Sequence, residues 1–347
     1  MAQKLFNQPK KRSIKPKLIF LSLLFIVAAL ITGSSMFFST SEPSLPQPHV
    51  FSSDRANHFV GFKATNDSDN NRVLAFKFAN LDNEKVQVHN NDGKLMLTIT
   101  DTYHTEDFSE KTHLSDVVTV NQNASNTIQF ALPLERLGPY NTRISEDGIF
   151  ITKLNWGLEG KNIVIDPGHG QPDGGAIGPS GLLEKDVVLN ISLRLKEILE
   201  DKGANVLLTR EGDSRPYPSS YLQDLWERVY IAEEFGAHVV LSIHNNASDY
   251  PYVGGIETFY RPNTLQGHNN KKFAKTIQNQ LTNDLGRRDR GVHSANFNVL
   301  RSEEFIGALV ELMFITNPEE ERLLSDPQMI EKIAQSLAEG IENFFTN

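Results

Sequence analysis

Three hydrophobic patterns follow one another along the chain. Leu18 to Phe38 is a run of 21 residues without a charge, mostly Leu, Ile, Phe, Val and Ala. A helix needs roughly 20 such residues to cross a bilayer, so residues 18–38 are expected to form a membrane anchor or, if cut, a signal peptide. From 57 to 155 apolar residues alternate with polar ones in short runs: Val73–Phe78, Lys85–Val88, Lys94–Ile99, Val117–Val120, Thr127–Ala131 and Gly148–Leu154. That period predicts strands, and Asp92-Gly93 between two of the runs predicts a hairpin turn, because such turns need positive φ. From 161 to 347 strand-like runs alternate with helical periods. The strands are Asn162–Asp166, Asn205–Thr209, His238–Ile243, Ile256–Tyr260 and Ala308–Glu311. The helices are Glu184–Lys202, Tyr221–Phe235, Lys271–Leu285 and Met329–Phe345. Asn317 before Pro318 reads as a cap with Pro in the first helical position.

The expected fold class is therefore α/β. A C-terminal domain (161–347), with a mostly parallel sheet flanked by helices, follows a small all-β domain (57–155) and an N-terminal transmembrane helix. Residues 39–56, with Pro43, Pro46 and Pro48, read as an extended spacer.

Charge sharpens the picture at the N-terminus. Six basic residues, Lys4, Lys10, Lys11, Arg12, Lys15 and Lys17, precede the apolar run, and the first acid is Glu42. A basic arm at 1–17 stays in the cytoplasm, so the expected location is the cell membrane, single-pass, with the C-terminal domain outside. Cleavage near Gly33-Ser34-Ser35 would instead give a secreted protein. The other residues carry 28 Lys and Arg against 43 Asp and Glu, a net −15. An acidic body disfavours nucleic acid as a partner. With no Cys, the 347-residue chain has no disulfide framework, thiolate metal site or Cys nucleophile.

Candidate chemistry gathers where strands end in the last segment, the usual place for a site in an α/β layer. His169 follows the first strand in Asp166-Pro167-Gly168-His169-Gly170. His244 follows another, in Ser242-Ile243-His244-Asn245-Asn246. Glu311 ends a third, and Glu184 opens the first helix. Two imidazoles and a carboxylate suit one Zn²⁺ ion and leave a position for water, and a further carboxylate can take a proton from that water. Plainer readings exist for each. His169 can cap a turn, Glu184 can favour a helix dipole, and His244 can be a core histidine. An unpaired Glu311 near a buried strand is costly and harder to explain so. The glycine-rich loop lacks the G-x-G-x-x-G spacing of a phosphate loop. In the β segment, His89, His104 and His113 complete no ligand set.

Four stretches, IVIDPGHGQPDGGAIGPSGLLEKD, LLTREGD, ERVYIAEEFGAHVVLSIHNNA and ALVELMFITNPEE, resemble in order and spacing the zinc-dependent N-acetylmuramoyl-L-alanine amidases of the Amidase_3 type. The resemblance covers residues 161–345. It implies that His169, Glu184 and His244 bind zinc and that Glu311 is the catalytic carboxylate. It also implies peptidoglycan as the partner, cut between N-acetylmuramic acid and L-alanine of the stem peptide. Asn246 and Arg301 match family positions as substrate-binding residues. Arg210 and Arg228 match too, with a salt bridge or turn hydrogen bond as their plainer role. Met313 and His293 depart from the family pattern, the latter standing where Lys is common. The alternating pattern of the β domain resembles AMIN-type modules, which implies wall binding; a plain stalk is the alternative. A catalytically silent wall-binding protein and a zinc hydrolase of another amide are the rival functions.

Overall fold

A computed structural model describes residues 57–67, 71–103, 118–123, 126–154 and 157–346. The expected anchor 18–38, the spacer 39–56, and His104 and His113 lie outside them. Among the described residues no helix is long and apolar enough to cross a membrane.

Residues 57–153 form strands β1 (Asn57–Asn66), β2 (Arg72–Ala79), β3 (Val86–Asn91), β4 (Lys94–Ile99), β5 (Thr102–Tyr103), β6 (Thr119–Asn123) and β7 (Thr127–Pro133). A short helix α1 (Leu134–Leu137) precedes β8 (Tyr140–Ser145) and β9 (Gly148–Lys153). They make two sheets, ordered β5-β1-β2-β9-β8 and β3-β4-β7-β6. The period of two puts Leu95, Leu97 and Ile99 of β4 and Ile128, Phe130 and Leu132 of β7 on one face. There they meet Phe59, Phe76, Ile149 and Ile151 of the other sheet in one core. Asp92 and Gly93 close the β3–β4 hairpin at φ +46° and +71°, the pair of positive values that a tight hairpin turn demands.

The α/β layer follows: β10 (Asn162–Pro167), α2 (Glu184–Asp201), β11 (Asn205–Leu208), α3 (Tyr221–Glu234), β12 (Val239–Asn246), β13 (Ile256–Tyr260), α4 (Gly267–Leu285), β14 (Asp289–Ser294), β15 (Ile306–Phe314), α5 (Pro318–Leu324) and α6 (Pro327–Thr346). The sheet order is β11-β10-β12-β15-β13-β14. Every neighbouring pair is parallel except β13–β15, so the sheet is mostly parallel, as expected, with one antiparallel pairing that makes it mixed. Helices α2, α4 and α6 cover one face, and Val188, Ile191, Leu281 and Leu337 pack with Ile163, Leu241 and Ala308.

Three differences from the sequence reading have physical causes. Helix α4 begins at Gly267, four residues before the expected Lys271. Its first turn is polar but buried, because Asn269 donates to the Tyr140 carbonyl at 2.7 Å and Asn270 accepts from Gly307 N at 2.8 Å. Strand β14, Asp-Arg-Gly-Val-His-Ser, carries no apolar run because it is an edge strand. Strand β12 runs past its apolar stretch to Asn246, and β15 continues after Glu311 through the apolar Leu312 and Met313 to Phe314, so His244 and Glu311 lie within strands rather than beyond or at their ends. Asn317 caps α5 as expected, accepting from the backbone N–H groups of Glu319 and Glu320.

Edge strand β8 meets the start of α4. Its Thr142 and Tyr140 carbonyls accept from Gln266 Nε2 at 2.9 Å and Asn269 Nδ2 at 2.7 Å. Helix α6 packs against both α2 and α4, with Leu337 fully buried. Leu337→Ala should therefore cost about 2–5 kcal/mol of stability, read from the denaturant midpoint; a cost under about 1 kcal/mol would contradict this packing.

Candidate metal centre

The site is built on the loop after β10. Asp166 is buried at the strand end and accepts from Arg228 Nη1 at 2.7 Å, Thr209 Oγ1 at 2.6 Å and Ser242 Oγ at 2.7 Å. Burial alone would push its carboxyl up, but the Arg228 charge and these three donors hold it down at about 2. Arg228 also binds Asp224 Oδ2 at 3.0 Å and donates to the carbonyls of Pro167 and His169. Arg210 donates to the carbonyls of Pro167, Gly168, Lys185 and Gly212. Both arginines thus take the plainer role weighed for them and position the loop. Thus held, His169 adopts φ +61°, a left-handed conformation uncommon for a residue with a side chain.

His169, Glu184 and His244 converge. Glu184 Oε1 lies 3.0 Å from His169 Nε2 and 3.1 Å from His244 Nδ1, and the two ring nitrogens are 3.2 Å apart. Tetrahedral ligands about 2.0–2.2 Å from a zinc ion stand about 3.3–3.6 Å from one another, so the triangle needs only a slight opening to hold one. Glu184 is almost fully buried, while both imidazoles are 20% exposed and face the solvent. The orientation of each ligand is fixed from behind. His169 Nδ1 lies 2.9 Å from Asp173 Oδ2, the carboxylate–imidazole pairing that supports metal-ligating histidines. Glu184 accepts from Asn245 N at 2.9 Å and from Ala176 N at 2.8 Å.

Two glycines make room for this packing. A Cβ on Gly168 would lie 2.4 Å from His244 Cε1, and one on Gly175 would lie 2.6 Å from Glu184 Oε2. Burial would lower the His169 imidazole, but Glu184 and Asp173 raise it to about 9. Burial would raise the Glu184 carboxyl, but the two histidines hold it far below its ordinary value. A proton on His169 thus stands where a cation would bind, and the two compete.

Glu311 pairs with His244 across β12–β15 and with Glu257 across β15–β13. Its Oε2 is shut off from solvent and has no hydrogen-bond partner among the described residues. Burial pushes the carboxyl up to about 7; His244 opposes, and Glu184 and Glu257 add to the rise. The structure thus brings His169, Glu184, His244 and Glu311 together at neighbouring positions of one sheet edge. Asn246 sits two residues beyond His244 and donates to Glu257 Oε1. Arg301 ends the short turn at 298–300, exposed and apart from the ligand triangle. Met313 is wholly buried in the core, and His293 Nε2 lies 3.0 Å from the Arg290 carbonyl.

Sequence reasoning missed Asp173, Asp166, Asp224 and Glu257. Only Asp173 left a signal, a carboxylate four residues after His169 in the same loop.

Residues 163–343 match the family model Amidase_3, N-acetylmuramoyl-L-alanine amidase. The germination-specific N-acetylmuramoyl-L-alanine amidase of Bacillus subtilis (strain 168) is 37% identical over 199 residues, covering 54% of this chain and 81% of the relative. The amidase LytC of the same organism is 40% identical over 186 residues, 54% of this chain and 36% of LytC. Among solved structures, the CwlD amidase from Clostridioides difficile, in complex with the GerS lipoprotein, superposes with a TM-score of 0.50 at 32% identity, over 53% of this chain and 98% of that one.

Two outcomes test the site. Gly168→Ala should weaken Zn²⁺ binding about tenfold or more in a calorimetric titration, because His244 must move; unchanged affinity would refute the close approach. Asp166→Asn should cost about 3–5 kcal/mol at neutral pH by leaving Arg228 short of a partner. The wild-type advantage from the depressed Asp166 is complete above its ordinary value of 3.8 and is lost as pH falls through about 2. Denaturant melts across that window should show the gap closing, and a constant gap would refute the linkage.

Proposed function

Because the chain belongs to the Amidase_3 family of N-acetylmuramoyl-L-alanine amidases, we propose that its site cuts the amide between the lactyl group of N-acetylmuramic acid and L-alanine of the stem peptide, using one zinc ion. The chain is a hydrolase of amide bonds in peptidoglycan. The observation that carries the mechanism is the ligand triangle beside an unpartnered, buried carboxylate oxygen.

His169 Nε2, His244 Nδ1 and one Glu184 oxygen are the donors for the ion. Two nitrogens and a carboxylate with an open solvent side suit a catalytic zinc. When bound, zinc supplies a Lewis acid and makes water a better nucleophile near neutral pH. Glu311 takes a proton from the attacking water and delivers it to the leaving amide nitrogen. A carboxyl near 7 can do both at neutral pH, and a cation on the neighbouring triangle draws it lower, toward the base form. Asp173 keeps the His169 ring in the orientation that offers Nε2. Arg228 and Arg210 keep the loop in place by holding its carbonyls.

Asn246 and Arg301 are assigned as substrate contacts. Of the two, Arg301 offers a side chain with no hydrogen-bond partner among the described residues, while the Asn246 amide is already taken by Glu257. Residues 18–38 are assigned as a membrane anchor behind the basic arm 1–17, which puts the hydrolase at the outer face of the cell membrane; secretion after cleavage is the alternative. The strands of 57–153 are assigned to a wall-binding module of AMIN type. Support for that comes from the alternating pattern and the two facing sheets.

Full-length protein on purified peptidoglycan tests the reaction. Zn²⁺-loaded wild type should release new L-alanine amino ends, and chelator should stop it. Glu311→Gln should keep its zinc and lose about 10²-fold or more in rate. Near-wild-type turnover in that variant would remove Glu311 from its role. Cleavage inside the stem would favour a peptidase, zinc-loaded wild type without any cleavage would point to missing activation or a different amide, and neither cleavage nor bound zinc would favour the silent wall-binding protein.

A further inference from the structure

The sheet edge beside Glu311 has a second polar group that the reaction does not use. Strand β13 lies between β15 and β14, so Glu257 stands opposite Glu311 on one side and Gly291 on the other. The β13–β14 register breaks at this point. Ile256 pairs with Asp289 and Glu257 with Gly291, which leaves Arg290 as an extra residue. Gly291 has φ +97°, and its N–H donates to Asp289 Oδ1 at 2.8 Å, so the bulge is pinned. Bulges redirect a side chain. Here the Arg290 guanidinium lies over the Phe314 ring, 4.8 Å from its centre. Phe314 pairs with Asn246, two residues past His244. Arg290 therefore reaches across β13 to the end of β15, the strand that carries Glu311.

One nitrogen of the guanidinium, Nε, lacks a hydrogen bond among the described residues. It is shut off from solvent and ion-paired with Glu257 Oε2 at 3.6 Å, too far for a hydrogen bond. Glu257 is also engaged elsewhere, by Asn246 on Oε1 and by His293 Nε2 at 3.5 Å from Oε2. The Arg290 side chain is 28% exposed, so a ligand can reach it. A guanidinium presents five N–H donors in a planar fork that matches a carboxylate. The cation–π contact with Phe314 restrains the guanidinium before any ligand arrives.

The substrate supplies such an acceptor. The stem residue after L-alanine is joined onward through its side-chain carboxyl, which leaves its α-carboxyl outside the peptide backbone, free or amidated. Arg290 is two strands from Glu311, about 10 Å between backbones, a gap that its side chain and one or two extended peptide residues span.

We propose that Arg290 is a specificity-determining residue that binds the free α-carboxylate of the second stem residue and so separates carboxylate stems from amidated ones. The choice of ligand rests on the amidase reading above.

The test is a binding comparison in full-length Glu311→Gln protein loaded with Zn²⁺. The probes are N-acetylmuramoyl-L-alanyl-γ-D-glutamyl-L-lysine amide and its counterpart with an α-carboxamide on the second residue. The carboxylate probe should bind about tenfold or more tightly, as for a charge-assisted pair. Adding Arg290→Ala should remove the preference while zinc content and melting midpoint stay put, and Arg290→Lys should restore part of it. Equal affinities before that change, or a preference that survives it, overturn the proposal; should Arg290→Ala fail to fold, the probe comparison alone decides. Failure of wild type to cleave either probe would count against the amidase reading and leave the binding comparison to judge Arg290.

Discussion

The Arg228 guanidinium is buried between two carboxylates, Asp166 and Asp224, and its other N–H groups hold the carbonyls of Pro167 and His169. A buried ion pair of this kind contributes little net stability by itself, because both charges leave water. Its value here is positional. Asp166 closes the apolar run of β10 and Asp224 lies on α3, so a single cation fastens a helix to a strand end and fixes the loop between β10 and the ligand triangle. Arg210 and Arg228 hold the carbonyls on either side of the His169 φ angle, which is left-handed at +61°.

Sheet register does the rest of the placing. His244, Glu311 and Glu257 stand at matching positions on three adjacent strands, so a ligand and two carboxylates arrive in a row without a loop between them. The breaks in register fall beside them, between His244 and Asn246 on β12 and at Arg290 on β14. A bulge turns side chains that alternation would send to opposite faces, which is why polar groups crowd this edge.

Much of this was legible in the sequence. The candidate ligands were legible because His169 and His244 sit where apolar runs give out, and Glu184 begins a strongly periodic helix. The Asp92-Gly93 hairpin was legible because its turn admits few other residues. What stayed hidden was polar and long-range. The first turn of α4 carries buried asparagines that satisfy distant backbone groups, and no period reveals that. Strand β14 is an edge with no apolar face. Asp166 and Asp224 looked like ordinary acids until the fold set Arg228 between them. The one antiparallel pairing, β13 with β15, was unreadable for a similar reason, since apolar runs do not encode strand direction.

Glu184 shows a consequence of another kind. One of its oxygens meets both imidazoles, and the two also accept backbone N–H groups from Ala176 and Asn245. An ion held there joins chain positions 60 and 75 residues apart, as a cross-link would. Closing loops of that length removes freedom from the unfolded chain. The centre is then a clasp for the fold as much as a reagent, and the hydrolase is best ordered when it is also armed.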